Sequence, residues 1–151
     1  MNKVLLVTNP HCGGAERMTV LFGKSLLKQG YEIEILICKQ HEKEECEIVS
    51  FIPDQFHVSY TTGRYRTLVF RLFSFLRRNT ANYVFTSLPL LYHLLIPLIK
   101  LFFRKKRIIV RECNTPSRHS DIIKKKNKLV LPYADAIISQ TDEMSKEMVQ
   151  I

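Results

Sequence analysis

A chain of 151 residues, 46% of them apolar, is long enough for one domain with a real core and too apolar to be disordered. Lys and Arg number 23 against 14 Asp and Glu, a formal charge of +9, so a partner bearing phosphates, anionic lipid or nucleic acid is expected. Cys12, Cys38, Cys46 and Cys113 form no Cys-x-x-Cys pair, which argues against a disulfide framework and a structural metal site and for reduced thiols in the cytoplasm.

No basic start leads into an apolar stretch and cleavage site, so no signal peptide is read. Lys3 to Thr8 is a near-continuous apolar run, the pattern of a parallel strand covered on both faces. After it come His11-Cys12-Gly13-Gly14-Ala15-Glu16-Arg17 and an amphipathic run from Met18 to Gln29. Met18, Leu21, Phe22, Ser25 and Leu26 lie there on one helical stripe, and Gly30 is placed to end the helix as a C′ glycine. Tyr31 to Cys38 reads as the second strand, Lys39 to Glu47 as a charged loop, Ile48 to Ile52 as a third, short strand, and Pro53-Asp54 as the turn after it.

Arg64 to Arg78 has helical periodicity, and Asn82 to Thr86 reads as a strand. Pro89 to Phe103 is a very apolar helix with a kink expected at Pro97. Asn79 to Ile99 is uncharged, but its apolar part starts only at Leu88 and falls short of the ~20 residues a membrane span needs. Ile108 to Arg111 is the next strand, Ser117 to Leu131 a helix and Ala134 to Ser139 the last strand. Thr141 is placed to cap a final helix. This order gives an α/β fold: a Rossmann-like, doubly wound parallel sheet with right-handed crossovers. The chain stops inside its last helix, as expected of one domain of a longer protein.

The stretch around Gly13 and Gly14 lies between the first strand and the first helix, where open α/β sheets bind ligands and a helix N-terminus favours an anion. Glycine also lets a ligand approach the backbone, or simply allows a turn with positive φ. The dinucleotide fingerprint G-x-G-x-x-G is absent. Gly23-Lys24-Ser25 looks like the tail of a phosphate loop, but Met18 stands where its first glycine belongs and the triplet falls inside the helix.

With that strand, turn and helix in place, the chain resembles the N-terminal domain of family 4 glycosyltransferases, the first half of a GT-B fold. Lys28-Gln29-Gly30-Tyr31-Glu32-Ile33 resembles the end of that family's first helix and its second strand. Ile109-Val110-Arg111-Glu112-Cys113-Asn114-Thr115-Pro116 resembles the strand and loop that the family writes as apolar residues, Glu-His-Asn or Glu-Arg-Asn, then Pro. Tyr133 to Thr141 resembles its Ala-Asp-apolar strand. The resemblance implies that residues 1–151 are the acceptor-side domain, and that a separate nucleotide-sugar domain carries paired glutamates, E-x7-E. It implies sugar transfer with retention from a nucleotide-sugar donor to a glycan or lipid-linked acceptor, in cell-surface polysaccharide synthesis. No cofactor beyond the co-substrate and no obligatory metal is implied. The residues expected at the donor diphosphate or acceptor are Gly13, Gly14, Arg111, Cys113, Asn114 and Arg118. Arg111 has the alternative of pairing with Glu112 or another acid. Cys113 replaces the family's histidine, and its thiol is expected to wall the pocket rather than to attack. Glu34 and Glu42 have the E-x7-E spacing by chance, one in a strand and one in a loop.

Arg77, Arg78, Arg104, Lys105, Lys106 and Arg107 stand next to Phe and Leu, a pattern suited to an anionic membrane at the inner face of the cell membrane. The alternative for these residues is an ordinary solvated helix face. No recognised nucleic-acid motif is present, and nucleic acid is not expected as a partner. A basic nucleic-acid module and a non-catalytic scaffold of the same fold stay open as alternatives to the enzyme.

Overall fold

A computed structural model describes residues 2–113 and 120–149. Six strands form one all-parallel sheet: β1 (Lys3–Thr8), β2 (Glu32–Lys39), β3 (His57–Thr62), β4 (Tyr83–Thr86), β5 (Arg107–Arg111) and β6 (Ala136–Ile138). Their spatial order is β3-β2-β1-β4-β5-β6. The helices are α1 (Gly14–Lys28), α2 (Tyr65–Arg78), α3 (Pro89–Phe102), α4 (Asp121–Val130) and α5 (Asp142–Val149). This is the doubly wound α/β fold expected from the sequence.

The chain winds to one side from β1 to β3 and to the other from β4 to β6, which puts helices on both faces. Val4, Leu6, Ile33, Ile35, Ile37 and Phe85 face Val20 of α1 and Ile48. Leu5, Val7, Leu36, Val84, Ile108 and Val110 face α2 and α3. The near-continuous apolar strands are thus explained by burial on both faces. Gly30, at φ 85°, ends α1: Gly30 N–H donates to Leu27 O and Tyr31 N–H to Leu26 O, a Schellman motif. Thr141 caps α5 through Met144 N–H to its Oγ1 at 3.2 Å. Pro97 lies inside α3, which continues past it.

Two expectations are corrected. The third strand is not Ile48 to Ile52. Glu47–Phe51 is a 3₁₀ turn that plugs fully buried Ile48 into the core, and the strand is β3, in register with β2 from Glu34–His57 to Lys39–Thr62. As an edge strand β3 needs no apolar face, and His-Val-Ser-Tyr-Thr-Thr offers little apolar signal. The inward face of α1 is also rotated from the expected stripe. Glu16, Thr19, Val20 and Gly23 are buried, whereas Met18 and Leu21 are exposed. Small residues let the helix sit close to the sheet, and that closeness chose the face over hydrophobicity. Residues 114–119, including the expected start of the fourth helix, lie outside the described residues; α4 starts at Asp121.

The amino end of the sheet is held by ions. Glu34 Oε2 accepts from Lys3 Nζ (2.9 Å) and Asn79 Nδ2 (2.7 Å), and Oε1 from Ser59 Oγ (2.9 Å). Burial pushes the Glu34 carboxyl up, but the Lys3, Ser59 and Asn79 hydrogen bonds outweigh it and hold it below its ordinary value. Asp135 accepts from Lys100 Nζ (2.6 Å), Arg107 (2.9 Å) and Ile108 N–H (2.8 Å), which fastens β6 beside β5.

Candidate active site

The strand order reverses between β1 and β4, so the loops leaving their carboxyl ends turn to opposite faces of the sheet, and the crevice at such a switch point is where open α/β sheets bind ligands. Three segments meet at this edge: the loop after β1 that enters α1, Ser87 and Leu88 after β4, and Arg111 to Cys113 at the end of β5. Thr19 Oγ1 of α1 lies 3.0 Å from Ser87 Oγ. Ser87 O accepts from the Cys113 thiol at 3.5 Å, and the Arg111 guanidinium lies 3.0 Å from Cys113 Sγ. Gly13 and Gly14 at the start of α1 and Arg111 and Cys113 at the end of β5 therefore lie at the same, carboxyl edge of the sheet. Asn114 and Arg118 lie outside the described residues.

Gly13 is the N-cap of α1 at φ −80°, and Gly14 opens the helix. Neither has the positive φ that a tight turn would require; among the described residues only Gly30 does. A Cβ on Gly14 would meet nothing within 4 Å, so that backbone is open to a ligand. At Gly13 a Cβ would lie 2.6 Å from Glu16 Oε2. The Glu16 carboxylate thus folds back over the first turn, 6% exposed, with no hydrogen bond reaching it among the described residues. The helix N-terminus expected to hold an anion already faces a carboxylate of its own, which its field favours.

Arg111 does not pair with Glu112. Glu112 is fully buried and turns inward: Tyr92 Oη donates to its Oε2 at 2.6 Å, and Cys113 N–H donates to Oε1 at 2.9 Å. Asn127 Oδ1 of α4 lies 3.2 Å from Tyr92 Oη and 2.7 Å from His93 Nε2. Burial and the Glu112 carboxylate push the Tyr92 hydroxyl well above its ordinary value, so it stays a donor. This network fixes the end of β5 and the start of the rim loop against α3 and α4. Burial raises the Cys113 thiol; Arg111 lowers it but does not prevail. A protonated thiol between Ser87 and Arg111 suits a pocket wall, not a nucleophile.

Beside the crevice a cavity of about 170 Å³ lies between the loops after β1, β2 and β4, lined in part by His11, Lys39, Glu44, Leu88 and Leu91. Glu44 Oε2 accepts from Gln40 N–H at 2.6 Å and shapes its mouth. Larger, more open hollows of about 490 and 400 Å³ lie at the amino end of the sheet, away from every candidate site residue on the rim.

The structure divides the six basic residues. Lys106 Nζ donates to Asn79 O and Ala81 O, both at 2.7 Å, and Arg107 pairs with Asp135, so these two hold the fold together rather than face a partner. Arg78 reaches back to Ser74. Arg77, Arg104 and Lys105 are exposed. Glu34 is committed to the amino-end network and Glu42 lies in the loop beyond β2, so their spacing has no catalytic meaning.

Sequence reasoning missed Glu16, Ser87, Tyr92 and Asn127. One signal existed for the buried pair: Tyr92 is a hydroxyl within an apolar helix, and Glu112 a carboxylate ending an apolar strand.

No family model and no curated protein sequence matches the chain. Among solved structures it is similar to a UDP-N-acetylglucosamine 2-epimerase, with a TM-score of 0.66 at 13% identity over 99% of this chain and 44% of that one. It is also similar to Arabidopsis thaliana UGT89C1 complexed with UDP, with a TM-score of 0.60 at 12% identity over 93% of this chain and 42% of that one. The chain thus spans less than half the length of either protein, and what it shares with them is the Rossmann-like fold of one half of a GT-B architecture.

Proposed function

We propose that these residues form the acceptor-side half of a retaining glycosyltransferase of the family 4 kind, which passes a sugar from a nucleotide-sugar donor to a glycan or lipid-linked acceptor in polysaccharide synthesis. The observation that carries this reading is the convergence of Gly13, Gly14, Glu16, Arg111 and Cys113 on the rim of the β1–β4 crevice. The two fold neighbours support it: one is named for a UDP-sugar and the other was solved with UDP. The nucleotide-sugar domain lies outside these 151 residues.

In this reading the open backbone at Gly14 lets the donor's diphosphate or the acceptor approach, and Arg111 meets negative charge as it grows on the departing diphosphate. Glu16 accepts a hydrogen bond from an acceptor hydroxyl. Its carboxylate repels phosphate from the innermost part of the crevice and so leaves that part to the neutral sugar. No metal or other cofactor is assigned a role.

Two measurements test the reading. Calorimetry on residues 1–151 with uridine and guanosine diphosphate sugars should show weak binding or none, because the donor domain is missing; submicromolar binding would oppose the proposed division. The full-length enzyme should consume nucleotide-sugar only when acceptor is supplied. An epimerised sugar without transfer product would replace transferase by epimerase.

A further inference from the structure

We propose that the outer face of the α2–α3–α4 layer docks flat on an anionic lipid bilayer. The inference stands apart from the transfer reaction and rests on three observations.

The first is that α3 is apolar on its outward stripe as well as its inward face, with His93 and Lys100 on the side turned to α4 and Asp135. Leu91, Tyr92, Leu95, Ile96, Leu98 and Ile99 are buried against the sheet and its neighbours. Its outward stripe is apolar as well: Leu90 is 53% exposed and Leu101 67%, with Leu94 and exposed Pro97 between them at helical spacing. A surface helix should be polar there. α3 is the middle helix of its layer, in contact with α2 on one side and α4 on the other, and no other described element covers this stripe.

The second observation is that the stripe continues onto its neighbours. Phe70 of α2 is 74% exposed, and Phe73, one turn on, meets the rings of Phe102 and Phe103 at 5.3 Å each. On α4, Ile122 and Leu129 stand out beside Lys125 and Lys126. Apolar tips beside long cations suit the headgroup boundary, where the tips dip in and the cations reach phosphates.

The third is charge. From Gln55 to Arg111 there are eleven Lys or Arg and no Asp or Glu. Some of these cations are spent within the fold: Lys100 and Arg107 on Asp135, and Lys106 on backbone carbonyls. Arg66, Arg77, Arg104 and Lys105 are exposed and make no ion pair among the described residues. Charge alone would suit RNA equally; the exposed leucines and phenylalanines favour a bilayer. No described helix is long and apolar enough to cross a membrane, so the contact is in the plane of the surface. Since α3 starts at the carboxyl edge, a bilayer on its stripe also comes near the cavity beside the crevice, which Leu88 and Leu90 help to line.

The experiment is vesicle co-sedimentation of the full-length protein. Phosphatidylcholine vesicles with about 30% phosphatidylglycerol should carry it down at about 0.1 M salt, release it at about 0.5 M, and bind it far better than phosphatidylcholine alone. Phe70→Ser with Leu101→Ser, both solvent-exposed, should reduce partitioning about tenfold or more. Arg66→Gln, Arg77→Gln, Arg104→Gln and Lys105→Gln should each cost roughly fivefold. Met18→Ser with Leu21→Ser, on α1 across the sheet, should change nothing, and all variants should melt like the parent. The proposal is overturned by partitioning that ignores the α2 and α3 substitutions or falls equally with the α1 pair. It is also overturned by binding to single-stranded RNA that outcompetes vesicles, or by a dimer that Phe70→Ser with Leu101→Ser dissociates while vesicles are ignored. Failure here leaves the nucleotide-sugar measurements untouched.

Discussion

Replacing Gly23 by alanine should loosen the fold although alanine is the better helix former. Gly23 lies on the face of α1 turned to the sheet. A Cβ there would be 2.5 Å from Leu6 Cδ1 and 2.8 and 2.9 Å from two atoms of the Phe56 ring. Ordinary carbon contacts begin at about 3.5 Å, so α1 must lift or both side chains must move. Leu6 is fully buried on a central strand and Phe56 is 5% exposed, so neither has free space to enter. Overpacking of this kind costs roughly 1–3 kcal/mol, and three contacts under 3.0 Å against buried neighbours put it at the upper end, roughly 2–3 kcal/mol; the gain in helix propensity returns about 1 kcal/mol. The net loss is about 1–2 kcal/mol, a fall in Tm of roughly 2–8 °C for a domain of this size. Gly14→Ala is the matched control: its Cβ meets nothing within 4 Å, and stability should stay within about 0.5 kcal/mol of the parent. Thermal and urea unfolding followed by circular dichroism measure both. Equal or higher stability of Gly23→Ala would refute the close approach of α1 to the sheet, and packing would then no longer explain the glycine of the Gly-Lys-Ser triplet.

The remaining predictions concern the two ends of the sheet. Gly14→Val should fold, since its backbone needs no positive φ, yet cut turnover of the full-length enzyme by roughly 10²–10³; normal turnover in a folded variant would remove the turn from the site, and Ser25→Ala, exposed on α1, should change little. Tyr92→Phe removes the donor to Glu112 Oε2 and should cost about 1–3 kcal/mol in urea unfolding, with no loss expected if the network is ornamental. The depressed Glu34 carboxyl contributes stability that is fully present above its ordinary value of 4.5 and is lost as pH falls through its folded value. Glu34→Gln should therefore flatten the acid limb of the stability curve, and an unchanged limb would count against the ionic lock.

Much of the fold was legible because burial on both sheet faces writes strands as apolar runs. Lys3 to Thr8 is bounded in the structure as it was read, and Gly30 and Thr141 act as the caps they suggested. What failed did so for physical reasons. Ile48 to Ile52 is apolar because one residue plugs the core from a 3₁₀ turn, whereas the true edge strand has little to bury. At the rim, the glycine turn could be located from its place after β1. The inward turn of Glu112 could not, because a carboxylate is buried only if partners come to it, and Tyr92 and Asn127 arrive from other helices. The same holds for Glu16, whose position over Gly13 depends on which face α1 turns to the sheet.

The two ends of the sheet use their polar groups in opposite ways, and this bears on where the proposed chemistry belongs. At the amino end, Lys3, Glu34, Ser59, Asn79 and Lys106 satisfy one another, so the hollows there are large in volume but their polar groups are already matched. At the carboxyl end, Thr8 Oγ1 is buried without a hydrogen-bond partner among the described residues, the Glu16 carboxylate lies 6% exposed over Gly13, and the backbone at Gly14 stands open. In the proposed reaction an incoming sugar would have hydroxyls to offer such groups, and leaving a buried hydroxyl such as Thr8 Oγ1 unmatched costs stability. Cavity volume alone does not separate the two ends, since a hollow of about 450 Å³ also lies at the loops after β2 and β3; unmet hydrogen-bonding capacity is what favours the crevice between β1 and β4 for the proposed transfer.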